Sequence, residues 1–307
     1  MAHTLHARQR HIGWDRSLPP ALRVSPGETV TFEVTEASGG QIGLHSSASD
    51  VAAMAFSQVN PVTGPVFLEG AEPGDTLVAD LLDLSPTGWG WTANIPGFGL
   101  LADEFPEPAL KLWTLQGGHA AFSDGITVPL RPFVGTIGTS LAEPGQHSVV
   151  PPRRVGGNLD LKEIAAGSRL LLPVEVEGAL FSLGDTHAAQ GDGEVCGTAI
   201  ECSALVTVRF GLRKRNQTGP QVLTQGPAES RAAAGGYHIT TGIGPDLYAG
   251  AKDALRRMLD LLEQEYAMGR SDAYLLCSVA GDLHVSEIVD APHWVVSFYL
   301  PRDLFRG

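Results

Sequence analysis

The stretch SPGETVTFEV, residues 25–34, shows most clearly which secondary structure the chain favours. From Thr29 to Val34 polar and apolar side chains alternate strictly, which is the pattern of a strand with one buried face. Pro26 and Gly27, directly before it, are typical of a tight turn. The stretch therefore predicts a turn followed by a half-buried strand.

Several other segments repeat this combination of β-branched or apolar residues between turn signals. They are DTLVADLLDL (75–84), RLLLPVEVEGAL (169–180), ALVTVRFGLR (204–213) and HWVVSFYL (293–300). Short strands separated by Gly and Pro are typical of antiparallel hairpins. The chain is therefore predicted to be mainly β, with antiparallel sheets in a sandwich or barrel-like arrangement.

One segment has the spacing of a helix. In DLYAGAKDALRRMLDLLEQEYAM, residues 246–268, apolar side chains recur at helical spacing with charged residues between them. Pro245 and Asp246 indicate its start, and Gly269 its end. We expect one long amphipathic helix that covers a sheet face, so the C-terminal part is predicted to be α+β.

The segment 142–158, rich in Pro and Gly, marks a weak boundary along the chain. It predicts a β-rich N-terminal part, residues 1–150, and a second β-rich part, residues 151–307, that contains the helix. The alternative is that this segment is a long active-site loop within one compact unit.

Composition narrows the class of protein. The chain has 307 residues, of which 43% are hydrophobic, so it can bury a large core. Its net charge of −13 argues against binding to nucleic acid or to an anionic membrane, because both need concentrated positive charge. Three cysteines are too few for a disulfide scaffold. No apolar run approaches the roughly 18 residues that a membrane helix requires, and no secretion signal is evident. We therefore predict a cytoplasmic protein that does not span a membrane.

The segment GDTHAAQGDGEVCGTAIE, residues 184–201, places acidic side chains and a histidine among small and apolar residues. If the preceding residues are extended, Asp185 and His187 lie two residues apart and project to the same side. The Gly-Asp-Gly sequence that follows is expected to reverse the chain, and the next strand would bring Glu194 or Glu201 back towards the pair. Carboxylate and imidazole ligands suit zinc or another divalent transition ion. Calcium is the alternative if carboxylates and backbone carbonyls dominate.

Each of these residues also has a purely structural interpretation. His187 can be a hydrogen-bonded core histidine, Asp185 can cap a turn, and Glu194 and Glu201 can point outward. Like charges beside apolar sequence, however, cost free energy unless a cation or a shared proton compensates them. Taken together, the cluster indicates a metal site or a group of carboxylates that share a proton.

Other polar residues give weaker signals. Asn60, Asn158 and Asp160 are candidate substrate-binding residues, although Asn and Asp beside Gly and Pro are foremost turn formers. His45 is a further candidate metal ligand. Cys196 is a candidate nucleophile, but a thiol among small residues without a nearby base is more often a small buried hydrophobe.

Several motifs together resemble the acetamidase/formamidase family, in its acetamidase-like branch. They are PALRVSPGETVTFEV, VNPVTGPVFLEGAEPGDTL, GGNLD, GALFSLGD and GDTHAAQGDGEVCGTAIE, and the segment AYLLCSVAGDLHVSEIVD, residues 273–290, resembles the family's C-terminal part. The resemblance implies a largely β fold and hydrolysis of small amides to ammonia and a short carboxylic acid. It also implies a divalent ion near the GD-x-H and GE segments.

The motifs and the resemblance lead to the same prediction, a metal-dependent amidohydrolase for a small linear amide such as acetamide or formamide. Asp185, His187 and Glu201 are the candidate metal ligands. Glu194 is the candidate general base, which takes a proton from water and passes it to the departing nitrogen, although the two glutamates could have the reverse roles. The alternatives are a metal-free amidase with a Glu or Cys nucleophile and a non-catalytic β protein that binds a small ligand or calcium. Unpaired strand edges favour a homodimer.

Overall fold

The computed structural model describes residues 2–123, 126–224, 235–270, 273, 276–277 and 281–305. Within these residues the chain forms two large, mostly antiparallel sheets and one long helix near the C-terminus, which confirms the predicted fold class. Residues 274–275 and 278–280, part of the segment that resembles the family's C-terminal part, lie outside the described residues.

The first sheet has nine strands and includes the strand predicted from residues 25–34. Within the described residues, the only parallel pair of this sheet joins the strands at residues 2–5 and 29–34, and all its other pairs are antiparallel. In spatial order the strands are β1 (Ala2–Leu5), β5 (Thr29–Val34), β18 (Ala204–Arg213), β7 (Thr76–Pro86), β15 (Arg169–Pro173), β19 (Gln221–Leu223), β20 (Tyr237–Gly244), β22 (Trp294–Pro301) and β21 (Asp282–Glu287).

The second sheet also has nine strands and carries the acidic motif. Six follow one another in space: β14 (Gly156–Asn158), β12 (Phe133–Gly138), β16 (Phe181–His187), β17 (Glu201–Cys202), β8 (Trp89–Asn94) and β9 (Ala109–Thr114). The other three join through β6 (Val62–Leu68), which pairs with β16, β2 (Arg10–His11) and β4 (Leu22–Val24). Both large sheets contain strands from either side of residue 150, and the division at that residue stays a prediction.

The remaining elements are short, apart from the C-terminal helix. Two ribbons pair β10 (His119–Ser123) with β11 (Ile126–Pro129) and β3 (Gly13–Trp14) with β13 (His147–Ser148). The helices whose bounds lie within the described residues are α1 (Ala48–Ala52) and α2 (Leu247–Tyr266), and single turns of 3-10 helix cover Phe56–Gln58 and Arg302–Phe305. Residues 270, 273 and 276–277 are also helical. None of the described helices is long and apolar enough to span a membrane.

The main hydrophobic core lies between the two large sheets. Phe32 and Phe210 of the first sheet pack against Phe181 of the second, with ring centroids 5.9 and 5.1 Å from that of Phe181. All three rings are buried, and burial of each contributes about 1.5–3 kcal/mol. This packing fixes the start of strand β16, three residues before the acidic motif begins in the sequence.

Most of the predicted elements have their expected bounds, with two corrections. The predicted strand 169–180 ends at Pro173 as β15. The chain then turns before β16 begins at Phe181, and Ala179 and Leu180 in this turn have φ values of 61° and 52°, which a strand cannot accommodate. The helix starts as predicted, with Asp246 accepting a hydrogen bond from the Ala249 amide. It ends before Gly269, because Ala267 adopts the left-handed conformation that terminates helices.

Candidate functional site

Strand pairing brings three of the predicted metal ligands together. His187 is the last residue of β16, and its cross-strand partner in β17 is Glu201. The His187 Nε2 atom lies 3.2 Å from Asp185 Oδ1 and 3.2 Å from Glu201 Oε2. All three side chains are buried, so the group lies inside the protein and not on a solvated surface.

A glycine in the neighbouring strand makes room for these carboxylates. Gly135 of β12 lies so close that a Cβ atom there would be 2.6 Å from Asp160 Oδ1 and 2.9 Å from Asp185 Oδ2. Real Cβ atoms do not approach other atoms this closely. The backbone of Gly135 also accepts the amide hydrogens of Leu159 and Asp160, which brings the GGNLD motif to the site.

Several site residues have an unusual backbone conformation. Seven non-glycine residues of the described chain have a positive φ, and four of them belong to this site: Asn60, Asp160, Asp185 and Glu194, with φ between 44° and 53°. Non-glycine residues rarely adopt this conformation, and such strain concentrates at functional sites. The local backbone is therefore arranged to aim these side chains inward at a cost in stability.

A second group of candidate ligands shares the same histidine. One ligand atom each from Asp160, His187 and Glu194 lies within 4.8 Å of the other two, as is also true of the Asp185, His187 and Glu201 group. The Nδ1 atom of His187 lies 3.9 Å from Asp160 Oδ1 and 2.8 Å from Gln190 Oε1. His187 therefore faces carboxylates on both sides of its ring.

The two asparagines predicted to bind substrate belong to a polar network beside Asp185. The Asn60 amide nitrogen donates to Asp185 Oδ2 at 3.2 Å and to Asn158 Oδ1 at 3.4 Å. Thr136 also donates to Asp185 Oδ2, at 3.1 Å, and the Asn158 amide donates to Asp290. The network holds Asp185 in place and joins β12, β14 and β16.

Burial and mutual repulsion control the charges at the site. Three carboxyl groups have pKa values well above their ordinary values because of burial and then repulsion from neighbouring carboxylates, namely those of Asp160, Glu194 and Asp290. Burial also raises the pKa of Glu201 to about 7. Burial would lower the pKa of His187, but the charges of Glu201 and Asp185 raise it well above its ordinary value. His187 in turn outweighs the effect of burial on Asp185 and lowers the pKa of that carboxyl group.

The residues present fit a divalent cation. Both carboxylate oxygens of Asp160 and Oε2 of Glu201 are buried and accept no hydrogen bond within the described residues. Buried carboxylate oxygens without donors are costly unless a cation or proton compensates them. The donors are carboxylate oxygen and imidazole nitrogen, which suit zinc and similar transition ions.

A small cavity opens onto this group. Its polar lining includes Asn60, Asp185, Glu194, Glu201 and Asp290, and its apolar lining includes Met54, Phe56, Trp91, Ile95, Phe98 and Val150. The cavity has a volume of about 40 Å³, and one water molecule needs about 10–15 Å³. The space therefore suits a molecule with only a few non-hydrogen atoms.

Asp192 of the acidic motif and two candidates from the sequence, His45 and Cys196, lie elsewhere. Asp192 pairs with Lys162 at 3.0 Å and with His284 at 3.3 Å, outside both groups of candidate ligands. His45 is exposed and belongs to neither group. Among the described residues the Cys196 thiol forms hydrogen bonds only with Thr198 and the Ala93 carbonyl, so no base lies within hydrogen-bonding distance to activate it.

Sequence reasoning missed several residues of the site. Asp290 lines the cavity, Gln190 contacts His187, and Thr136 contacts Asp185. Gln190 falls within the acidic motif, so its position beside His187 was the one available signal. Asp290 follows the apolar residues Ile288 and Val289. Its position at the end of this apolar run is the only sign in the sequence that the Asp290 side chain is buried.

Comparison with known proteins identifies the family. Residues 2–147 and 139–307 match the Acetamidase/Formamidase family. The chain is 28% identical to a formamidase of Methylophilus methylotrophus over 367 aligned residues, covering 97% of this chain and 90% of that protein. It is 33% identical to an acetamidase of Mycolicibacterium smegmatis over 269 residues, 66% of each chain. A crystal structure of the acetamidase from Bacillus halodurans has a TM-score of 0.89 to this chain at 32% identity, covering 98% of each.

The fold, the buried acidic site and these relatives indicate an amidase that acts on carbon-nitrogen bonds other than peptide bonds. Within that class, the chain belongs to the acetamidase/formamidase family, as its motifs predicted. Membership of this family supports hydrolysis of an amide to ammonia and a carboxylate.

Proposed function

We propose that this protein is a metal-dependent amidohydrolase that converts a small linear amide of the formamide or acetamide kind into ammonia and a short carboxylate. The observation that carries the proposal is the buried group of Asp185, His187 and Glu201 at a cavity with room for only a few atoms. The names of the related formamidase and acetamidase support the same substrate class.

Asp185, His187 and Glu201 would hold the ion, which we propose to be zinc, with calcium as the alternative. When bound, such an ion lowers the pKa of a coordinated water and polarises the carbonyl group of an amide. The three side chains are fixed before any ligand arrives, because strand pairing places His187 opposite Glu201 and the network from Asn60 and Thr136 restrains Asp185.

Glu194 is the proposed proton carrier. It lines the cavity, and its carboxylate forms no hydrogen bond or ion pair within the described residues, so its oxygens are free to accept a proton. It would take a proton from the attacking water as the new C–O bond forms and deliver it to the nitrogen as the C–N bond breaks. The products are then ammonia and the carboxylic acid, which ionises to the carboxylate at neutral pH.

The cavity walls would orient and select the amide. Asn60 lines the cavity, and its amide nitrogen donates to Asp185 and Asn158, whereas its Oδ1 atom accepts no hydrogen bond within the described residues. That oxygen is available to accept a hydrogen from the substrate NH2 group. The apolar side chains of Met54, Ile95 and Phe98 would contact the acyl group and limit its length.

Metal analysis and ammonia release from a series of amides test the proposal. Native protein should contain about one divalent ion per chain and hydrolyse formamide or acetamide faster than longer amides. Glu194→Gln should keep the ion and lose about a hundredfold to ten-thousandfold in turnover, the range for a missing general base. Glu201→Gln should instead lose the ion, because a ligand is replaced.

Two outcomes would contradict these assignments. Active protein without a divalent ion would exclude the proposed ion and favour a carboxylate nucleophile. Loss of the ion in Glu194→Gln and its retention in Glu201→Gln would reverse the roles of the two glutamates. The homodimer and the cytoplasmic location stay predictions, and sedimentation of the purified protein tests the first of them.

A further inference from the structure

Gln190 occupies a position that determines which nitrogen of His187 carries a proton. Its Nε2 atom donates to the backbone carbonyl of Asp160 at 3.0 Å, and its Oε1 atom lies 2.8 Å from His187 Nδ1. A carbonyl oxygen can only accept a hydrogen bond, so the NH2 group of Gln190 must face Asp160. The amide oxygen must therefore face the histidine.

The protonation of His187 follows from that orientation. The Oε1 atom of Gln190 can only accept, so Nδ1 of His187 must carry a hydrogen. In a neutral imidazole the other nitrogen, Nε2, then has a free lone pair. The ring of Phe133 packs edge-on against the imidazole with a centroid distance of 4.9 Å and restrains its rotation.

The His187 Nε2 atom lies beside two carboxylate oxygens, whose negative charge favours a positive charge between them. Asp185 Oδ1 and Glu201 Oε2 both lie 3.2 Å from this nitrogen. A lone pair and two carboxylate oxygens repel one another unless a proton or a cation lies among them. A second proton, on Nε2, meets this need when no ion is bound, and a divalent ion that displaces this proton can be bound by all three atoms together.

We propose that Gln190 is a positioning residue that fixes His187 with its proton on Nδ1 and so selects Nε2, together with Asp185 and Glu201, as the ion-binding atom. The Nδ1 atom, on the side of Asp160, is thereby kept out of the coordination of the ion. The inference rests on the divalent-ion site of the proposed function. Outer hydrogen-bond partners of this kind fix the ring orientation of metal-binding histidines and tune their affinity.

Nitrogen NMR of the protein with 15N-labelled histidine and bound zinc reads the proton position directly. The His187 signals are identified by their disappearance in His187→Ala. We expect a proton on Nδ1 and the zinc-induced shift on Nε2.

Zinc affinity, measured by competition with a chelator, provides the second readout. Gln190→Met should raise the dissociation constant about 10-fold to 100-fold, the usual effect of losing an outer-shell partner. Gln190→Glu keeps an oxygen that accepts a hydrogen bond from Nδ1, so its zinc affinity should be close to that of the native protein. Gln221→Met is the control, because Gln221 is a buried glutamine that also accepts a side-chain hydrogen bond, but in the first sheet.

The outcomes separate this inference from the proposed reaction. Zinc on Nδ1, or equal zinc affinity in native protein and Gln190→Met, would overturn the inference. An equal loss of affinity in Gln221→Met would also overturn it, because the effect would then be a general loss of stability. Protein that binds zinc through Nε2 but releases no ammonia from any amide would refute the proposed function and leave the inference standing.

Discussion

Glu36 is a buried carboxylate whose loss should weaken both the fold and one wall of the cavity. Its oxygens accept four hydrogen bonds, each 2.7 Å long, from the amide and hydroxyl groups of Ser38, the amide of Gly40 and the indole nitrogen of Trp91. Trp91 of β8 lines the cavity, and its cross-strand partner in the adjacent strand β17 is Glu201. Glu36 therefore connects the loop after β5 to the cavity wall.

The substitution Glu36→Gln gives a magnitude that follows from this geometry. Each carboxylate oxygen accepts two of the four bonds, so an NH2 group in place of either oxygen faces two donors. Hydrogen bonds to a charged group contribute about 1.5–3 kcal/mol each, and part of this loss is offset because no charge is buried any longer. We expect the free energy of unfolding to fall by about 3 kcal/mol.

Urea unfolding at neutral pH measures the change through the transition midpoint and the slope of the free energy with denaturant. Glu33→Gln is the matched control, because the Glu33 side chain is 39% exposed and such surface changes usually cost less than about 0.5 kcal/mol. Equal midpoints for the two variants would refute the reasoning, since the four buried bonds would then contribute nothing.

Two further predictions concern acid stability and the space around the site. Burial, followed by the nearby charge of Arg302, lowers the pKa of His238 to about 4. In the unfolded chain the histidine binds its proton at about pH 6.5, before the folded protein does. Neutral His238 should therefore stabilise the protein fully above about pH 6.5 and progressively less as the pH falls to about 4. The unfolding free energy of native protein should therefore fall more steeply over that range than that of His238→Gln, and parallel curves would contradict the assignment. Gly135→Ala should weaken divalent-ion binding about 10-fold to 100-fold in equilibrium dialysis, because its Cβ would collide with the site carboxylates. Gly88→Ala, where a Cβ meets nothing within 4 Å, should leave ion binding unchanged, and equal effects of the two substitutions would exclude the steric explanation.

The fold was predictable wherever the pattern is local. The alternation from Thr29 to Val34 predicts β5 with its bounds, because a strand with one buried face needs no information beyond its own residues. The spacing after Asp246 predicts α2 for the same reason. The turn that follows Pro173 could not be predicted, since Ala179 and Leu180 do not by themselves favour the positive φ that they have there.

The candidate site shows the same division between local and distant contacts. Asp185, His187 and Glu201 meet because a turn returns the chain within 16 residues, and antiparallel pairing then places His187 directly opposite Glu201. Asn158 and Asp290 are separated by 132 residues, and no local pattern specifies that they touch. Each of these distant contacts depends on how the two sheets stack, which is determined by packing over the whole core. A short motif can therefore predict the residues that would hold an ion, whereas the groups that restrain them become visible only when the complete fold brings their strands and loops together.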